Sequence, residues 1–273
     1  MTRSAPIMTF FTSKSVSAIA LSLTFAYSLT LKAPVSAQTT PPPTHFSDSF
    51  PAFVPPSNPR RRSGGNDTTG SRTGSCTGSD GTSFTLLSPV DTIGYAASPQ
   101  PTVSWYLPSS EVQYPVQVKF FLESQDGEKY VEVVDVDYQP GITTYSIPPE
   151  KITLMPGMEY GWQVRIECDK NRPSRSLLQR ARVEVVQPSI ELQQAIEAAT
   201  TDAERALAYG RESIWYDAIA QVAQSESPEA IAVRHELLLN LATYLSTVET
   251  SNARDQILEI IQENIENNSG LMP

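Results

Sequence analysis

Histidine and cysteine are the scarcest side chains in this sequence, with two of each among 273 residues. His45 sits among prolines and His235 in a helical pattern, and neither has a partner at His-x3-His or His-Glu-x2-His spacing. A histidine-based zinc site is therefore not encoded. A Ser-His-Asp triad needs a histidine held by a scaffold, and no Gly-x-Ser-x-Gly elbow occurs. Gly64, Gly65, Gly70 and Gly74 follow no strand and lead to no Gly-Lys-Ser/Thr, which excludes a phosphate loop. No metal and no organic cofactor is expected. Basic residues are also few, 20 against 30 acidic ones, for a net charge of −10. Binding nucleic acid through its phosphates needs clustered Lys and Arg, so a nucleic-acid partner is excluded. A broad anionic membrane patch is excluded on the same ground.

What is present begins with an export signal over residues 1–37. Arg3 and Lys14 give a weakly positive start, and Val16 to Leu31 is mostly apolar. Val35-Ser36-Ala37 then supplies the small residues a signal peptidase accepts, so cleavage is expected after Ala37. The apolar core is shorter than the roughly 20 residues a spanning helix needs. No later stretch is apolar enough to cross a bilayer, and no cysteine at the cut offers a lipid anchor. Losing Arg3, Lys14 and Lys32 takes the net charge from −10 to −13. The mature protein is expected in the periplasm or outside the cell.

Residues 38–83 read as a disordered Pro/Gly-rich linker. Pro41, Pro42, Pro43, Pro51, Pro55, Pro56 and Pro59 favour extended polyproline conformations, and a Gly/Ser/Thr stretch follows. Arg60-Arg61-Arg62 is too short a run to mark more than a solvated tether.

Residues 84–187 carry seven segments of strand character, at Phe84–Val90, Thr102–Leu107, Val116–Glu123, Lys129–Val136, Ile142–Ile147, Met158–Cys168 and Ala181–Gln187. The clearest alternation places Tyr160, Trp162, Val164 and Ile166 on one face. Gln125-Asp126-Gly127 reads as a hairpin turn. Short strands at this spacing with no helix between them predict an all-β sandwich of two sheets. Leu154-Met155-Pro156-Gly157-Met158-Glu159-Tyr160 resembles the tyrosine corner of fibronectin type III-like domains, and Pro101 to Trp105 resembles their second strand. That likeness is structural and makes Trp105, Tyr160 and Trp162 core residues.

Cys76 lies just before the first segment and Cys168 ends the sixth. Strands running alternately up and down put both at one pole, and an oxidising compartment favours a disulfide between them. Closing a loop of about 90 residues stabilises by roughly 4–5 kcal/mol in the chain-entropy model.

From Ser189 the spacing turns helical, so residues 188–273 read as an acidic α-helical region. It holds 14 acids and 4 arginines. Five helices are expected, near Ile190, after a cap at Asp202, after a cap at Ser213, from Pro228, and from Asn252. Tyr209 followed by Ile214-Trp215-Tyr216-Asp217-Ala218-Ile219 resembles a tetratricopeptide hairpin, though a solenoid needs several copies. Tyr209, Trp215, Tyr216 and Leu238 are the candidate partner-binding residues.

Together, Arg60 to Cys76, Pro101 to Tyr106, Pro140 to Ile142, Tyr160 to Cys168 and Ile214 to Ala218 resemble a cyanobacterial exported family of unknown function, numbered nine-two-eight. The resemblance implies the compartment and no mechanism. Three functions are then expected in descending order. The first is a non-enzymatic binding or scaffold protein that holds an envelope protein on its helical end. The second is an envelope carbohydrate binder using Tyr106, Tyr114 and Tyr138. The third is a hydrolase using paired carboxylates such as Asp135 and Asp137.

Overall fold

The computed structural model describes residues 51–60, 84–110, 112–124, 127–248 and 252–269. The signal over residues 1–37, Cys76 and most of the expected linker lie outside these residues.

Eight strands precede five helices. β1 (Thr85–Leu86), β3 (Thr102–Leu107) and β6 (Gly141–Ser146) form one sheet in the order β1-β3-β6. β2 (Ile93–Ala96), β8 (Leu177–Val185), β7 (Glu159–Ile166), β4 (Val116–Ser124) and β5 (Gly127–Val136) form the other, in the order β2-β8-β7-β4-β5. All pairings are antiparallel except β2 with β8. α1 (Ile190–Ala198), α2 (Asp202–Arg211), α3 (Trp215–Val222), α4 (Pro228–Val248) and α5 (Ala253–Ser269) follow. Among the described residues, no helix is long and apolar enough to cross a membrane.

Period-two alternation builds the central strands. Val116, Val118 and Phe120 point inward from β4 and face Val164 and Trp162 of β7 across the register. The Met155 N–H donates to the Tyr160 hydroxyl at 3.2 Å, fixing the turn that enters β7. β2 is a strand that alternation does not reveal. It has four residues, one of them glycine, and three of the four are buried. A strand packed on both faces shows no polar stripe.

The sheets and helices share one core. Trp105 of β3, Trp162 of β7, Trp215 of α3 and Leu241 of α4 belong to one buried cluster. α3 lies against β2 and β3, and α5 against β1. The helices thus reach β1 and β2, the strands that edge the two sheets on that side, and leave β5 and β6 as the opposite edges.

Part of the expected linker is instead packed. Residues 51–60 form a strap across the molecule, with Ala52 and Phe53 buried. Proline content suits an extended backbone, yet an extended segment still binds where apolar side chains find a seat.

Candidate functional site

α3 joins the helices to the sheets through three consecutive side chains. The Trp215 Nε1–H donates to the Leu87 carbonyl at 2.8 Å, just after β1. The Tyr216 hydroxyl donates to the Arg182 carbonyl of β8 and accepts from Trp162 Nε1 of β7, both at 2.8 Å. Its single proton is thereby used, so the Ser88 hydroxyl, also at 2.8 Å, donates to it. The Tyr216 ring meets Trp162 edge-on at 6.1 Å. It fits because residue 94 is glycine; a Cβ there would stand 2.7 Å from the ring. Burial drives the phenol's pKa far up. Asp217 accepts the N–H groups of Ala97 at 2.7 Å and Ser98 at 3.2 Å, beyond β2. Burial raises its carboxyl to about 6, against the lowering effect of these backbone donors.

This arrangement corrects the expected partner surface. Trp215 and Tyr216 are wholly buried and Leu238 is 2% exposed, so none of them can meet a partner. Tyr209 is half-buried, and its pKa is raised by burial and then by Asp217. The amphipathic stripe is real, but it covers the sheets and the neighbouring helices. Helical spacing says that a face is covered and cannot say by what. Tyr106 and Tyr138 are buried too, the latter's hydroxyl donating to the Pro108 carbonyl, and Tyr114 is half-buried, so the three do not stand exposed as expected. Asp135 and Asp137 are both exposed, and Asp135 accepts from the Gln117 amide at 2.9 Å. They line no cleft. His235 is half-buried on α4 and His45 lies outside the described residues. Among the described residues, no cluster of three or more His, Cys, Asp or Glu is placed to hold a metal ion. Trp105, Tyr160 and Trp162 all lie in the core. Cys168 is half-buried two residues past β7; its expected partner Cys76 is outside the described residues.

Two places on the helices do receive or offer something. The first is a seat for the strap, made by α2, the turn after it, and α4. Phe53 packs edge-on against Trp215 at 5.0 Å and Tyr244 at 6.3 Å. Its N–H donates to Asn240 Oδ1 at 2.9 Å, and the Val54 N–H donates to the Gly210 carbonyl at 3.0 Å. The Ser213 hydroxyl donates to the Val54 carbonyl at 2.7 Å. At its other end the strap is held by β2 and β8. The Ile93 N–H donates to the Arg60 carbonyl, and the Arg60 guanidinium pairs with Glu184.

The second is an open groove of about 520 Å³ between α1 and α2. Leu192, Ala195, Ala199 and Leu207 give it an apolar floor, and Glu191, Glu204, Arg211 and Glu212 rim it. Two stripes on α2 explain the groove. Ala203, Ala206 and Gly210 are buried against the rest of the protein, while Glu204, Leu207, Ala208 and Arg211 turn toward α1. Ser189 caps α1 by accepting the Leu192 N–H. Thr201 and Glu204 form a reciprocal capping box at the start of α2, and the Thr200 N–H and hydroxyl, then the Thr201 N–H, hold the Glu204 carboxyl below its ordinary pKa.

Neither place was marked as a site by sequence. Phe46, Phe50 and Phe53 in a proline-rich stretch were the available signal for the strap. Alanines at helical spacing carry almost none for a groove.

The geometry defines a β-rich domain with two sheets, closed on one side by a helical region. The chain belongs to the family described as Domain of Unknown Function (DUF928), which matches residues 67–253. The strap and nearly all of α5 lie outside that span. No curated protein matches the chain.

Proposed function

We propose that this is an exported, non-enzymatic scaffold of the cell envelope that holds a protein partner in the groove between α1 and α2. The observation that carries this reading is the groove itself, an apolar floor left open to solvent inside a charged rim. Three glutamates against one arginine on the rim favour a segment that brings one apolar anchor flanked by Lys or Arg. The sheets supply a rigid stalk. Their order, with Tyr160 of β7 bonded back to its own turn, supports a fibronectin III-like sandwich. We assign Cys76 and Cys168 to one disulfide that ties the segment before β1 to the end of β7. Two free thiols in unreduced, periplasmically expressed protein, read by mass spectrometry, overturn that assignment.

The test of the groove is a random-peptide display selection on the full chain, counter-selected on Leu207→Glu. Selected peptides are expected to share an apolar residue beside Lys or Arg, and to bind Leu207→Glu and Ala195→Arg at least tenfold more weakly. Selection of peptides that bind both variants as tightly as wild type sinks the reading.

A further inference from the structure

The strap is held in the way proteins hold short extended peptides. Its polar anchors at the helices all fall on backbone, at the Phe53 N–H, the Val54 N–H and the Val54 carbonyl. These set register without regard to side chains. Selectivity comes from two positions only. Phe53 fills the aromatic pocket of Trp215 and Tyr244. Ala52 passes so close to α2 that a Cβ at residue 210 would stand 1.9 Å from its carbonyl oxygen. Gly210 is the second-last residue of α2, and any side chain there would collide with that carbonyl, so it marks a backbone-to-backbone approach. Ser213, which donates to the strap, has φ of +64°, the one non-glycine residue described in the left-handed region. Such strain persists only where surrounding structure holds it. Val54 is 38% exposed and Pro51 is exposed, so within residues 51–54 the seat grips the side chains of Ala52 and Phe53.

We propose that the cleft between α2 and α4 is a peptide-binding site whose resident ligand is the chain's own Ala52–Val54 segment. The site takes a peptide of the form small residue, Phe, any residue, Pro. Val54 precedes Pro55, which biases it to extended backbone before it binds. Little ordering is then needed on docking. The receptor groups Gly210, Ser213, Trp215, Asn240 and Tyr244 all sit on α2, α3, α4 or the turn between α2 and α3. None belongs to the strap. This site is separate from the α1–α2 groove and uses the opposite stripe of α2.

The test uses the full chain carrying Phe53→Ala, and a fluorescein-labelled peptide Pro-Ala-Phe-Val-Pro-Pro-Ser-Asn-Pro. Anisotropy is expected to show saturable binding to Phe53→Ala and at least tenfold weaker binding to wild type, whose seat is filled. Replacing the peptide's Phe by Ala, or adding Gly210→Ala to the host, is expected to abolish binding. Phe53→Leu serves as the host if circular dichroism shows that Phe53→Ala does not fold. Absence of binding to a folded host overturns the proposal. So does equal binding to wild type, or binding that survives Gly210→Ala.

Discussion

A phenol has one proton to give and two lone pairs to offer, and Tyr216 uses all three inside the protein. Tyr216→Phe keeps the ring and leaves the Trp162 N–H, the Ser88 hydroxyl and the Arg182 carbonyl to find new partners in a dry interior. The expected cost is roughly 2–4 kcal/mol, read from the urea midpoint. Asp217 carries a different signature. Its carboxyl titrates at 3.8 when unfolded and at about 6 when folded. Below about pH 4 it is protonated in both states and its contribution is full. As the pH rises toward 6 the unfolded chain ionises first, and stability drains away by roughly 3 kcal/mol. Asp217→Asn is expected to lose that slope; urea midpoints at pH 4.5 and 7, compared with wild type, measure it. Both residues stand in the Ile-Trp-Tyr-Asp-Ala run that is conspicuous in the sequence. Their importance was legible there, their direction was not. A tryptophan and a tyrosine at helical spacing look the same whether they meet a partner or the protein's own sheet.

At the scale of elements, the strands of high alternation and the helices with proline or capping starts were readable from residues alone. Pro228 opens α4, and α1 begins at Ile190 after Pro188, as the residues predict. Elsewhere caps shifted by a residue. Thr201, not Asp202, caps α2, and Ser213 sits in a turn before α3 instead of capping it. β2 and the strap were hidden for one reason: both are short, and both depend on contacts with residues more than 80 positions away. The end of α3 was equally invisible. There Arg234, from α4, donates to the carbonyls of Val222, Ala223 and Ser225 at 2.9, 3.1 and 3.0 Å. A guanidinium at a helix C-terminus satisfies orphan carbonyls and opposes the helix dipole. Arg234→Met keeps the stem and removes the donors, and is expected to lower stability by about 2 kcal/mol in a thermal melt. Phe53→Ala empties an aromatic seat and is expected to cost about 3 kcal/mol by the same measurement.

Over the whole molecule, the change of hydrophobic period near Pro188 separates sheet from helix correctly, yet it does not separate two cores. Trp162 and Tyr216 stand on opposite sides of that proline and share a hydrogen bond. Unfolding is therefore expected to be one transition, with far-ultraviolet circular dichroism and tryptophan fluorescence coinciding. A fragment ending at Gln187 is expected to give no cooperative melt, because the β1 and β2 side of its core would lie bare. Two well-resolved transitions in calorimetry of the full chain would show that the halves are independent after all.

The strap also sets a clock. Phe53 precedes its partner Asn240 by 187 positions. During synthesis the first of these leaves the ribosome long before the second exists, so its seat is completed almost last. The indole of Trp162 waits for α3, and the aromatic ring of Phe53 waits for α3 and α4. A segment at residue 53 that is fastened by a helix at residue 240 leaves the stretch between them threadable until that helix is made, and then closes once.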